Sequence, residues 1–221
     1  MTRSPAPGCA CLLAGLASLA SLSACAPAPY DYTLYRNHMP RSILVLPPVN
    51  QTTDVDATYA YLSTISRPLA ECGYYVFPVA VIDAYMKENG LPGADEMHAV
   101  SLAKLREIIG ADAVLYVVIE EWGQKYQVIT STTVVKARAR LVDAATGETL
   151  WNGTAQAAQS SGGGDPIGML VAAVVAQVLD SMTDQAHALA SPANATMIFN
   201  QDHGLLYGHR HPHYDADSRG R

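Results

Sequence analysis

Basic residues are scarce in this 221-residue chain, where 14 Lys and Arg face 20 Asp and Glu for a formal net charge of −6. That balance excludes the strongly basic footprint on which phosphate binding leans, so no nucleic-acid partner is expected. Cysteine is scarcer still, at four in all. Cys9, Cys11 and Cys25 fall at the start and Cys72 stands alone beyond them. No intramolecular disulfide framework is therefore available to the folded part, and Cys72 reads as a small buried helix residue. No apolar run approaches the roughly 20 residues that a membrane-spanning helix needs. Catalytic patterns are missing too: there is no G-x-S-x-G, no H-E-x-x-H, no Walker sequence and no G-x-G-x-x-G after a strand. The one tight carboxylate pair, Glu120–Glu121, sits on successive strand positions. Without a bulge those two acids point to opposite faces and cannot work as an acid/base pair. They read as the end of a strand, with Trp122 and Gly123 beginning the turn. No catalytic residue and no cofactor is assigned, and the chain reads as a non-enzyme.

What is present first is an address. Arg3 supplies a charge, Cys11 to Leu22 is small and apolar, and Ser23-Ala24 precedes Cys25. That is the three-part plan of an export signal, so residues 1–24 are excluded from the fold. Leu22-Ser23-Ala24-Cys25 resembles the bacterial lipobox, in which the cysteine thiol takes diacylglycerol and becomes the first residue. Acyl chains then replace the lost peptide as anchor, each buried methylene contributing about 0.8 kcal/mol. Removing residues 1–24 takes out Arg3 and no acid, leaving 13 of the 14 bases against 20 acids, a formal charge of −7. Ala-Pro-Ala-Pro after Cys25 resists helix and strand alike. Residues 25–40 read as a lipidated tether, 41–190 as one α/β domain and 191–221 as a C-terminal tail.

Within 41–190 the periodicities change once. Ile43-Leu44-Val45-Leu46 is a strand buried on both faces, closed by Pro47-Pro48. A helix over 55–72, with Pro68 inside and Gly73 as its stop, leads to a short strand at Tyr74–Phe77. Helices over 80–89 and 99–109 flank a loop at 91–95, and Ala113–Ile119 is a third core strand. Helices between strands argue for parallel pairing. From Tyr126 to Val142 the chain alternates instead, with Ile129, Val135, Ala137, Ala139 and Leu141 on one face. Thr130, Thr132, Lys136, Arg138 and Arg140 occupy the other. Asp143–Gly147 turns it back into Thr149–Ala158. Ser160–Gly164 is a flexible connection, Asp165 an N-cap and Pro166 the first residue of a helix to about Ala190, apolar on nearly every side and so deeply buried. The predicted fold is α/β: a three-layer-like mixed sheet with a βαβαβ half, then an antiparallel meander and a long C-terminal helix.

Two constellations point to binding. Lys136, Arg138 and Arg140 form a basic stripe at period two, either a solvated strand face or a surface that docks an acidic partner or an anionic surface. In the tail His209, His211 and His213 alternate, close after His203. Imidazoles so spaced bind zinc, copper or nickel loosely, with Asp215 as a further ligand, although Pro212 and nearby glycine forbid a regular scaffold. A tail that docks on a partner or on the protein's own surface is the other reading.

The lipobox, "ILVLPPVNQTTDV", "YLSTISRPLAECGYYVFPVAVID", "TGETLWNGTA" and "LLYGHRHPHYD" together resemble a family of bacterial lipoproteins without an assigned function. The similarity covers nearly the whole chain after Cys25. Its members are similar in fold to the N-terminal α/β domain of the Tol-system propeller protein, to the curli-secretion lipoprotein and to lipoprotein activators of cell-wall synthases. The resemblance implies a lipoprotein anchored in the outer membrane and facing the periplasm. It implies a docking or assembly component of an envelope complex of secretion or surface-assembly type. Expected partners are the membrane, through the lipid on Cys25, and envelope proteins, among them a curli-secretion-like lipoprotein; a homo-oligomer is a further expectation. The resemblance supplies no catalytic residues. The alternative function is a periplasmic ligand- or metal-binding lipoprotein that uses the histidine-rich tail.

Overall fold

The computed structural model describes residues 30–126, 131–160 and 182–215. From Asp31 onward the chain belongs to one compact unit. A short helix α1 (Thr33–Asn37) precedes β1 (Ser42–Val45), β2 (Val49–Asn50) and α2 (Ala57–Glu71). Then follow β3 (Tyr75–Val76), α3 (Val79–Glu88), α4 (Ala94–His98) and α5 (Leu102–Ile109). Three long strands come next, β4 (Ala113–Tyr126), β5 (Ser131–Asp143) and β6 (Thr149–Ser160), and α6 (Met182–Ile198) completes the set.

The strands make one six-stranded mixed sheet of order β3-β1-β4-β5-β6, with β2 also pairing β4. β1 runs parallel to β3 and β4, and β2 parallel to β4, whereas β4, β5 and β6 are antiparallel. Side chains alternate across it. Leu44, Leu46 and Val114 pack with Ile82 and Met86 of α3, Met97 of α4 and Leu105 of α5. On the opposite face α6 lies over β4, β5 and β6 and against α2. There the Tyr61 ring stands edge-on to Trp122 at 6.4 Å. The α/β class, the parallel half, the meander and the C-terminal helix are as the sequence predicts.

A buried polar pin joins the two helices on that face. Tyr61 donates its hydroxyl proton to Asn194 Oδ1, and Asn194 Nδ2 donates to Thr64 Oγ1 at 2.9 Å. Asn194 is fully buried, and burial raises the Tyr61 pKa well above its usual value, so the phenol stays a donor. Nearby, Trp151 of β6 is wholly buried and donates Nε1–H to His203 O at 2.7 Å. Its ring lies over Gly153, where any Cβ would collide with the indole and with Met197. The Trp-x-Gly spacing is therefore a packing requirement.

Several elements differ from expectation, each for a local reason. β4 does not end at Glu120–Glu121. It continues to Tyr126 through a bulge, the register slipping between Ile119 and Glu121. β2 resumes pairing after Pro47-Pro48 because the longer β4 still offers Val118 and Ile119 as partners. The expected loop at 91–95 is present only over 91–93, because α4 begins at Ala94, and its Asp95 and Glu96 fall in the first turn, where the helix dipole favours acids. The long C-terminal helix runs on to Ile198, past the expected end at Ala190, with Ala193, Asn194, Met197 and Ile198 buried. Its expected first part, 166–181, lies outside the described residues, as do Ile129 and Thr130 of the β5 pattern.

The segments read as tether and tail meet each other. Tyr32 donates its hydroxyl proton to Gly204 O at 2.7 Å, the Tyr35 and Tyr74 hydroxyls share a hydrogen bond of 2.7 Å, and Tyr74 also donates to Leu206 O. Tyr35, Leu205 and Leu206 are buried. Gly73 has φ +98° and touches the returning chain: Gly208 N–H donates to Cys72 O at 2.8 Å. A Cβ on Gly73 would lie 2.6 Å from His211 N, and one on Gly208 2.6 Å from Gly73 O. Residues 204–211 thus strap over the end of α2.

Gly153→Ala is expected to lower the unfolding free energy by about 1–3 kcal/mol through overpacking. Asn194→Ala is expected to cost a similar amount, about 1–3 kcal/mol, by orphaning the buried Tyr61 hydroxyl and removing the donor to Thr64 Oγ1, which keeps its own bond to Tyr61 O. Urea unfolding followed by near-ultraviolet circular dichroism checks both.

Candidate docking face

The outward face of β4, β5 and β6 is built in lateral rows. Tyr116, Arg140 and Asn152 stand opposite one another across the three strands. Val118, Arg138 and Thr154 form the next row, and Glu121, Lys136 and Gln156 the one after. One column is thus aromatic and aliphatic before it turns acidic, the middle column is basic, and the edge column carries amides and a hydroxyl. The same strand turns Val135, Ala137, Ala139 and Leu141 inward, all buried, so the β5 alternation expected from the sequence is present.

The bulge decides what the acids do. As the extra residue, Glu120 reaches the basic column and pairs with both Lys136 Nζ, at 3.1 Å, and Arg138 Nε. Glu121 accepts from Lys125 Nζ at 2.7 Å. Both carboxylates are engaged by cations, and the bulge returns Trp122 to the core face, where its residue is 8% exposed. Arg140 differs from its two neighbours. Its guanidinium lies over the Tyr116 ring, 5.1 Å from the centroid, and among the described residues it meets no carboxylate. A cation over a tyrosine face contributes about 0.5–1 kcal/mol at an exposed site.

A hollow of about 540 Å³ opens on this face, lined among others by His98, Tyr116, Arg138, Arg140, Asn152 and Thr154. Among the described residues no Asp or Glu lines it. His98, the last residue of α4, forms its wall. Its Nε2–H donates to Pro47 O at 2.9 Å, and its ring stands edge-on to Tyr116 at 5.2 Å. Burial holds the His98 pKa below its usual 6.5, and the Arg140 charge pushes it the same way. The Pro47 bond and Asp95 act in the opposite sense. Burial also raises the Tyr116 pKa. The hollow therefore holds guanidinium groups, a neutral imidazole and a phenol: donors suited to an anionic or amide-bearing ligand, without a nucleophile–base pair.

Of the other sequence-selected residues, Cys25 lies outside the described residues. His209, His211 and His213 are described, and their rings engage the strap. His211 stacks on Tyr207 at 3.7 Å and 8°, and its Nδ1 accepts from the His213 N–H at 3.1 Å. His209 stands edge-on to Tyr214 at 6.3 Å. Among the described residues no group of three His, Cys, Asp or Glu side chains is placed to hold a metal ion. Tyr116, His98, Asn152 and Thr154 were not singled out from the sequence. Counting back from the hairpin at Asp143–Gly147 places Trp151 and Gly153 opposite Arg140 and Arg138, and only the register shift between Leu141 and Val142 brings Asn152 and Thr154 there. Nothing in the sequence pointed to His98 either, which α4 delivers to the hollow.

A neutral His98 in the folded state has a pH signature. The unfolded chain takes up its proton near the ordinary pKa of 6.5, before the folded protein does. The His98 contribution to stability is thus fully present above that value and lost as pH falls below it toward the lowered folded pKa. His98→Gln is expected to flatten this acid-side loss relative to wild type, read from urea midpoints measured on either side of pH 6.5.

A family model described as "Putative lipoprotein GNA1162-like" matches residues 30–210. The "Putative lipoprotein NMB1124/NMB1162" of Neisseria meningitidis serogroup B is 43% identical over 205 residues, covering 90% of this chain and 95% of that one. The crystal structure of lipoprotein GNA1162 from Neisseria meningitidis superposes with a TM-score of 0.54 at 46% identity. It covers 64% of this chain and all of its own. A PelC dodecamer from Paraburkholderia phytofirmans is more distant, with 18% identity, a TM-score of 0.46 and coverage of 71% of this chain and 87% of its own.

Proposed function

The chain belongs to the GNA1162-like lipoprotein family, and from that premise we propose that it is a non-enzymatic docking component of an envelope complex. Diacylglycerol on Cys25 anchors it in the outer membrane, with its α/β body facing the periplasm. The observation that carries the docking role is the outward face of β4, β5 and β6. It is basic in its middle column and, among the described residues, free of carboxylates in its hollow, on a chain whose net charge is −6. Electrostatic complementarity of that kind selects partners and steers their approach. Lys136, Arg138 and Arg140 are the contact residues, with Arg140 the one that meets no carboxylate among the described residues.

The lipobox supports the anchor, and Ala26 in place of Asp after the cysteine supports the outer membrane. The pinned end of the tether narrows where docking takes place. Tyr32 is already hydrogen-bonded to Gly204, so only residues 26–31 are left to span from lipid to body. At 3.3–3.6 Å per residue that reach is at most about 25 Å, which keeps the partner close to the membrane. Another envelope protein fits, such as a curli-secretion-like lipoprotein. The metal-binding alternative gains no convergent ligand set among the described residues.

Intact mass of the processed protein is expected to show Cys25 as the first residue, carrying diacylglycerol. A bare Cys25, or a retained leader, contradicts the anchor. Chemical crosslinking in intact cells followed by affinity capture is expected to recover one specific envelope protein with the wild type, and none with Cys25→Ala. Equal recovery from both would separate docking from the anchor, and no recovery in either would overturn the docking role.

A further inference from the structure

We propose that the strap, continued to Tyr214, and the aromatic ridge beside it form a membrane-contacting surface, set into the headgroup layer of the bilayer that holds the lipid on Cys25. This goes beyond the docking role. It rests on the Cys25 anchor and not on the face of β4, β5 and β6. The first support is reach. The tether enters the body at Tyr32, whose hydroxyl is bonded to Gly204 at the start of the strap. The parallel strands begin at the same end. Arg210 N–H donates to Gly73 O at 3.3 Å, Tyr75 N–H to Arg41 O at 3.0 Å and Arg41 N–H to Asp112 Oδ2 at 2.9 Å. From Asp112 the chain enters β4, which runs for 14 residues, about 45 Å, away from that end. Residues 26–31 reach at most about 25 Å. The anchor therefore brings the strap end of the body to the bilayer, and not the far end of β4.

The second support is chemistry. Residues 203–214 hold four of the chain's seven histidines, two tyrosines and Arg210, and none of its 20 acids, although Asp202 and Asp215 flank them. His209, Arg210, Pro212 and His213 are exposed, and Tyr207, His211 and Tyr214 are half-buried. Beside them Tyr75 is 41% exposed, with the Arg210 guanidinium 5.5 Å from its ring centroid and the Phe77 ring edge-on at 5.1 Å. An adjoining hollow of about 480 Å³ is lined by Val76, Phe77, Pro78 and Val79, with Arg67 and Arg210 also on its wall. Partial burial lowers the His209 pKa, and the charges of Arg41 and Arg210 push it the same way, against Asp112. Two guanidinium groups thus act at one place on the strap. Tyrosine and arginine share what the headgroup layer selects, an apolar body with a polar tip. Guanidinium groups pair with lipid phosphates, and the rings and the hollow take up the carbons next to them. The bilayer is favoured over a second protein because the anchor delivers this end to it without a further binding step.

The test uses the processed full chain, purified from membranes and returned to protein-free vesicles of phosphatidylethanolamine and phosphatidylglycerol. A nitroxide is attached at His213→Cys and, separately, at Val55→Cys. Val55 is 84% exposed and lies just before α2, the helix whose other end the strap covers. Cys72 is buried and takes no label. Electron paramagnetic resonance reads how well a water-soluble nickel chelate and oxygen reach each label. At position 213 the chelate is expected to be about fivefold less effective than at position 55, and oxygen more effective. Tyr75→Ser combined with Arg210→Gln should bring the chelate reading at 213 at least halfway back to that at 55, with the reading at 55 unchanged. Equal readings at the two positions overturn the proposal, as does protection at 213 that the double variant leaves intact. Protection that appears only on membranes holding other envelope proteins makes the strap a protein contact and overturns it too. Protein that floats with the vesicles while position 213 stays open to the chelate refutes this inference and leaves the anchor standing. Protein that does not float refutes the anchor, and this inference with it.

Discussion

Alternation along β5 is the constraint from which the rest follows. Val135, Ala137, Ala139 and Leu141 turn inward and are buried, while Lys136, Arg138 and Arg140 stand between them on the other side. A slip of one residue would carry three cations into the core, at a desolvation cost that no pairing there would offset. With β5 so oriented, its neighbours β4 and β6 have one face that must be covered and one that need not be. Helix α6 takes the first, with the Tyr61–Asn194–Thr64 pin holding it to α2. On the second, α3, α4 and α5 cover the sheet as far as Val114 of β4, and the candidate docking face is what remains.

A clasp of tyrosines ties the two ends of the described chain together. The tyrosines Tyr32, Tyr35 and Tyr74 bind the start of the described chain to the strap at 204–208. The strap passes Gly73 at a distance that excludes a side chain on either Gly73 or Gly208. Phenols suit this place because each buries an apolar ring and still donates a hydrogen bond to a carbonyl or hydroxyl. The clasp converts much of an apparent tether into folded protein.

The sequence revealed most where its periodicity was long and unmixed. The apolar β1 run, the helical spacing of α2 with its stop at Gly73, and the two-residue period of β5 each specify an element. So does the Asp143–Gly147 turn, and each of these is present. What was hidden depended on contacts between distant segments. The bulge at Glu120 looks in one dimension like a strand end, because two acids and a Gly follow an apolar run. Only pairing with Lys136 and Arg138 shows why the strand continues. Residues 191–198 look polar and proline-interrupted, yet Asn194 is fully buried because Tyr61 and Thr64, some 130 positions away, satisfy its amide. His98 enters the hollow from a five-residue helix with too little periodicity to be seen. The basic stripe was legible; the aromatic and amide columns that make it a hollow were not.

A photocrosslinking amino acid placed at Thr154, beside the hollow, and separately at Val81, exposed on α3, puts the choice of face to the most direct test in living cells. If the outward face of β4, β5 and β6 docks the envelope partner, irradiation yields a discrete protein adduct from position 154 and none from position 81. An adduct from position 81 alone, with position 154 silent, would contradict it.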